Sequence, residues 1–135
     1  MVAKTWDNGA FSSNWGDANN WNPNGVPAST DDVTLSSAST LSITLNVSAT
    51  IKSLTISGDT KGQSHDATLT LNAGTTLTTS SGISLSNSRS FISGAGTINA
   101  GTGISGSGTI TASGGTLESL RNDQRWRAAS YWDFS

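Results

Sequence analysis

Large apolar side chains recur at short intervals between Ala67 and Leu117: Leu71, Leu77, Ile83, Ile92, Ile98, Ile104, Ile110 and Leu117. Most steps are six residues, and Gly, Ser, Thr, Ala and Asn fill the gaps. A helix needs apolar residues three and four apart, so this spacing argues against one. Six residues suit one short strand and a bend. Three such units give a repeat of roughly 18 residues, close to the periods that mark solenoids. The expectation is an all-β, single-domain parallel β-helix (β-solenoid) of about five coils, with these eight residues as its core columns. A Gly/Ser-rich flexible linker is the competing reading. The regular isoleucines count against it.

The composition agrees with a thin core. Apolar residues are 33% and charged residues 12%, against about 45–50% (Gly included) and 25% in ordinary domains. Disorder would go with high net charge, yet the net charge is only −2. A stack of short strands tolerates the shortfall, because each strand contributes only one or two inward side chains. Gly94, Gly96, Gly101, Gly103, Gly106 and Gly108 flank the isoleucines and suit corners where stacked backbones approach closely.

The chain divides into three stretches of one domain. Residues 1–32 hold Trp6, Trp15 and Trp21 among Asn, Asp, Gly and Ser, which are turn formers. This stretch is expected to be an irregular N-terminal cap over the first coil, with one short strand near Ala10 to Ser12. Residues 33–117 carry the coils: Val33 and Leu35, then Leu41, Ile43, Leu45 and Val47, then Ile51, Leu54 and Ile56 alternate with polar residues, as half-buried strands do. The polar run from Asp59 to Asp66, with the sole histidine His65, reads as a loop inserted at one corner. Residues 118–135 break the repeat and hold Trp126 and Trp132. They read either as a C-terminal cap, with a short amphipathic helix over Ser119 to Ala129, or as a non-native tail, because Leu117-Glu118 is a common pair at cloning junctions.

Few residues suggest chemistry. The absence of cysteine excludes disulfides and thiolate metal sites. No stretch has the apolar length of a membrane span. No signal peptide is visible in this chain, and no clustered basic surface points to nucleic acid. A sugar-cleaving enzyme would need grouped acids and bases, whereas Asp31, Asp32, Lys52, Asp59, Lys61, Asp66 and Arg89 are scattered. Asp7-Asn8-Gly9 and Asp17-Ala-Asn19-Asn20 lack Ca²⁺-loop spacing and read as turns. His65 has no nucleophile elbow to serve, because Gly103-Ile-Ser105-Gly-Ser lacks the closing glycine. The expectation is no enzyme, no catalytic residue, no metal and no cofactor.

Two binding surfaces remain. Trp6, Trp15 and Trp21 with Phe11 can stack on sugars if exposed, but core or cap packing is the favoured use of aromatics in so apolar-poor a chain. The threonines at Thr68, Thr70, Thr75, Thr76, Thr78 and Thr79 suggest an ice-matching face. However, T-x-T at Thr68 and Thr70 does not recur once per coil, and strand propensity explains threonine more simply.

The run Trp15-Gly-Asp-Ala-Asn-Asn-Trp21, then Gly25-Val-Pro27, then Asp31-Asp32-Val33, resembles the opening of bacterial secreted parallel β-helix repeat proteins, among them autotransporter passenger and adhesin-like domains. Leu54-Thr-Ile-Ser-Gly58, Ala67-Thr-Leu-Thr-Leu71 and Gly96-Thr-Ile98 resemble their coil repeats. The resemblance implies a right-handed β-helix in a bacterial extracellular or cell-surface setting. It supplies no catalytic residues. Together these readings predict a non-enzymatic structural or adhesive protein whose partners are further copies, joined end to end into filaments through Trp6, Trp15, Trp21, Trp126 and Trp132, or surface glycans. The alternative is a carbohydrate-binding module with exposed N-terminal tryptophans.

Overall fold

A computed structural model describes residues 3–36, 40–58, 65–101 and 103–112, together with the backbone of three later strands. The chain is all-β, and its sheets are built mainly from parallel pairs. β3 (Asp32–Ser36), β6 (Ser53–Ser57), β9 (Ile83–Leu85) and β12 (Ile104–Gly106) lie side by side in a first sheet. β4 (Leu41–Leu45), β7 (Ala67–Leu71), β10 (Ser90–Gly94) and β13 (Thr109–Ala112) form a second. β5 (Ala49–Ile51), β8 (Thr76–Thr79), β11 (Thr97–Ala100) and β14 (Thr116–Ser119) form a third. The chain therefore visits three sheets in rotation, and each strand pairs in parallel with those three places before and after it. Among the described residues there are four such rounds, not about five. The count differs because the repeat is uneven. Ile92 and its registered partner Ile110 are 18 positions apart, but Leu54 and Ile83 are 29 apart, across the polar segment that contains His65.

The six-residue beat proves to be one inward residue per sheet. Leu77 and Ile98 are registered in the third sheet, Ile83 and Ile104 in the first, Ile92 and Ile110 in the second. Leu71, Leu77, Ile83, Ile92, Ile98 and Ile110 are buried, and Ile104 is partly buried against the same cluster. Leu117 registers with Trp126 on β15 (Gln124–Arg127), and its side chain lies outside the described residues. Strand alternation puts every second residue inside. The first inward column of the second sheet is Ile43, Leu69, Ile92 and Ile110, all fully buried. Burying each such side chain contributes about 1.5–3 kcal/mol. Val47, expected to continue the Leu41–Leu45 alternation, lies past the end of β4 and is exposed.

A second inward column in the same sheet runs Leu45, Leu71, Gly94, Ala112. In the first sheet its counterpart runs Leu35, Ile56, Leu85, Gly106. The large residues thus give way to small ones along the chain. Gly94 has φ +122° and Gly106 has φ +110°, conformations that only glycine adopts freely. A Cβ on either would overlap the carbonyl oxygen of its registered leucine, Leu71 or Leu85. The following glycines, Gly96 and Gly108, lie over the side chains of those leucines. The leucine of one round thus fills the space that the glycines of the next leave open.

Both ends of the stack carry strands of another kind. β1 (Ala3–Trp6) extends the first sheet in parallel beside β3, and β2 (Trp21–Asn22) turns back antiparallel on β1. At the other end β15 lies antiparallel on β14, and β16 (Tyr131–Asp133) antiparallel on β13. The helix expected over Ser119 to Ala129 is therefore not formed at Gln124–Arg127, which is a strand. Gln-Arg-Trp-Arg alternates with period two, and the open edge of β14 offers it a ladder.

Candidate functional site

The N-terminal cap is the most specifically built part of the molecule. Its expected strand near Ala10 to Ser12 is replaced by turns, with Phe11 N–H donating to the Asn8 carbonyl at 3.0 Å. The strands lie on either side instead, at β1 and β2. Between them the segment Ser13–Trp15 lies along the outer edge of β4. Trp15 N–H donates to the Thr44 carbonyl (2.9 Å) and Thr44 N–H to the Ser13 carbonyl (2.8 Å). The cap therefore covers the first edge of two sheets, the first with β1 and the second with Ser13–Trp15.

Trp6, Trp15 and Trp21 are all buried, and Trp15 and Trp21 are 0% exposed. Trp6 meets Trp21 edge-to-face (centroids 5.1 Å, planes 89° apart), and Trp15 meets Trp21 similarly (4.8 Å, 70°). Such pairs add to the area each ring buries. The Trp21 indole N–H donates to the Trp15 carbonyl at 2.9 Å, whereas the buried Trp15 Nε1 has no partner. All three rings belong to one apolar cluster with Val33, Leu35, Ile43 and Leu45. An exposed sugar platform of Trp15 and Trp21 is therefore not what the fold presents. These rings close the apolar interior, where a chain short of large side chains uses them best. Trp126 registers with Leu117 and Trp132 with Ile110. The side chains of both tryptophans lie outside the described residues, so this structure does not bring the two sets together.

Sequence reasoning missed the residue that organises the cap. Asn20 is fully buried and ties four segments together. Its Oδ1 accepts from Ala10 N–H (2.9 Å), and its Nδ2 donates to Ser12 Oγ (2.9 Å) and to the Asn14 carbonyl (3.0 Å). Its own carbonyl accepts from Asp7 and Asn8 N–H (2.9 and 3.2 Å). Asp17 caps the short 3-10 turn Ala18–Asn20 and accepts from Ser12 Oγ at 3.0 Å. The only sequence signal was an asparagine directly before a tryptophan, in a loop with several other asparagines.

Lys4 was also missed. It occupies an inward position of β1 and is only 7% exposed. Its ammonium donates to three backbone carbonyls of one turn, Pro23 (2.7 Å), Asn24 (3.2 Å) and Gly25 (3.0 Å). Three donors meet three acceptors, which is how a buried amine is tolerated. Asp31 and Asp32 have local duties too. Asp31 accepts from Ala28 N–H (2.8 Å) and Asp32 from Ser53 Oγ of the next round (2.6 Å). Phe11 is the exception, 88% exposed with φ +57°.

The other singled-out groups do not converge. Asp66 and Arg89 form an ion pair at 2.9 Å, partly exposed on both sides. His65 Nδ1 lies 3.2 Å from Thr40 Oγ1. Asp59 and Lys61 lie outside the described residues. Among the described residues no three potential metal ligands cluster, and no helix is long and apolar enough to cross a membrane. An open groove of about 250 Å³ crosses the outer face of the first sheet, bordered by Ser53, Thr55, Ser84 and Ser105 with Gly82 and Gly103. It offers hydroxyls and backbone.

A family model described as a domain of unknown function, DUF8693, matches residues 5–118, and the chain belongs to that family. The match takes in the cap and the three-sheet rounds and ends before β15 and β16. No curated protein and no solved structure matches the chain.

Proposed function

We propose that this chain is a three-sided parallel β-solenoid, right-handed by its resemblance to secreted β-helix proteins, that acts as a non-enzymatic structural or adhesive module on a bacterial surface or outside the cell. One observation carries the reading: in-register parallel ladders link four successive rounds over one continuous buried cluster. Such a stack is a stiff spacer about 15–20 Å long at the usual strand separation. Its faces, rather than a pocket, are what it offers to partners.

The reading favours a capped rod over a filament subunit. Continued stacking needs parallel strands at both ends, because unpaired edges recruit further chains. Here the first and last ladders meet strands that run antiparallel: β2 beyond β1, β16 on β13, β15 on β14. The buried tryptophans then seal one end and do not join copies. Light scattering and negative-stain electron microscopy across a concentration series test this. Monodisperse short particles are expected throughout. Long uniform fibres would instead make the chain a filament subunit.

A further inference from the structure

The pairing register changes the meaning of the threonines. On the outer face of the second sheet, Ser42 and Thr44 of β4 register with Thr68 and Thr70 of β7. Those register with Phe91 and Ser93 of β10, and these in turn with Thr109 and Thr111 of β13. The T-x-T element therefore does recur in every round of this sheet, as S-x-T, T-x-T, F-x-S and T-x-T. It escaped notice because the rounds differ in length. Seven of the eight outward positions carry a hydroxyl and none carries a charge. Thr70 and Ser93 hydroxyls lie 3.3 Å apart along one column.

The other faces are less regular. The first sheet presents Asp32 among its hydroxyls and drops to Gly82 and Gly103 at the groove. The third presents Asn99, and Glu118 registers with Thr97.

We propose that the outer face of β4, β7, β10 and β13 is an ice-binding surface. Hydroxyls repeat about every 4.8 Å across strands and about every 6.6 Å along them, from strand spacing and rise. Both repeats are close to those of water oxygens on a prism face of hexagonal ice. An ice surface is held by many weak contacts, so the two-dimensional repeat must be rigid. The fully buried column Ile43, Leu69, Ile92 and Ile110 beneath the array fixes it. Threonine adds a methyl beside each hydroxyl, which orders water around the array without the strong local hydration of a charge. A soluble glycan would need aromatic stacking or amide and carboxylate forks, and Phe91 alone supplies neither set. The inference rests on the register and is independent of the capped-rod reading.

The intact chain should be taken up into a growing ice hemisphere and should produce faceted ice crystals with thermal hysteresis. Thr70→Lys, in the middle of the array, should abolish uptake, and Thr78→Lys on the third sheet should leave it intact, both with unchanged circular dichroism. Phe91→Thr completes the array and should increase uptake, which tests the face even if the lysine variant fails to fold. Exclusion of the intact chain from ice overturns the proposal. So does equal uptake of the two lysine variants, no gain for Phe91→Thr, or retention on crystalline cellulose without uptake into ice.

Discussion

In the rounds, each strand meets copies of its own pattern. Ile43, Leu69, Ile92 and Ile110 repeat the same contact. In the N-terminal cap nothing repeats: Asn20 makes contacts found nowhere else, and three tryptophans meet at different angles. A repeating ladder spreads stability over many equivalent residues, and nearest neighbours share it. An end has a neighbour on one side only, so it must be closed by unlike parts. The difference teaches that coil residues are legible as a rhythm, whereas cap residues matter one at a time.

The sharpest break falls in the rounds. Ile98 is fully buried in the third sheet, and a carboxylate there has no partner. Ile98→Asp is expected to abolish cooperative folding by circular dichroism, while Thr97→Asp, one residue away on the outer face, stays within about 0.5 kcal/mol of the parent. Ile104→Asp should fold with a lowered melting temperature, because Ile104 is only partly buried on the last strand of its sheet.

Next comes the cap. Trp21→Ala removes a ring that touches both other tryptophans, and is expected to cost about 3–5 kcal/mol in denaturant unfolding. The remaining indole emission should shift to the red as Trp6 and Trp15 meet water. Asn20→Ala orphans the Ala10 amide and the Asn14 carbonyl, at about 1–3 kcal/mol. Hydrogen exchange should then speed up across residues 7–20 and stay slow at Leu69 and Ile92. Uniform acceleration over both regions would erase the distinction between cap and rounds.

Gly94→Ala probes the packing of one round on another. It is expected to cost about 1–3 kcal/mol from its backbone conformation, on top of the overlap with Leu71. Arg89→Ala, which breaks a half-exposed ion pair, should cost about 0–1 kcal/mol.

How much was legible follows from the same contrast. Leu71, Leu77, Ile83, Ile92, Ile98 and Ile110 stand out in the sequence because inward positions admit little else. The number of rounds was not legible, because Leu54 and Ile83 are registered across 29 residues while Ile92 and Ile110 are registered across 18. For that reason the recurrence of T-x-T was hidden as well. The strand at Gln124–Arg127 was misread as part of a helix because its partner, the edge of β14, is a tertiary feature. Trp15 and Trp21 could be read as platform or cap until their burial decided it. Asn20 was illegible because its role lies in which backbone groups surround it.

The rotation through three sheets is most directly tested by interstrand nuclear Overhauser contacts in solution. The account predicts that backbone protons of Leu69 contact those of both Ile43 and Ile92, in the pattern of parallel neighbours. Close Hα–Hα contacts between consecutive strands, such as β6 with β7 or β7 with β8, would mean hairpins and would contradict it.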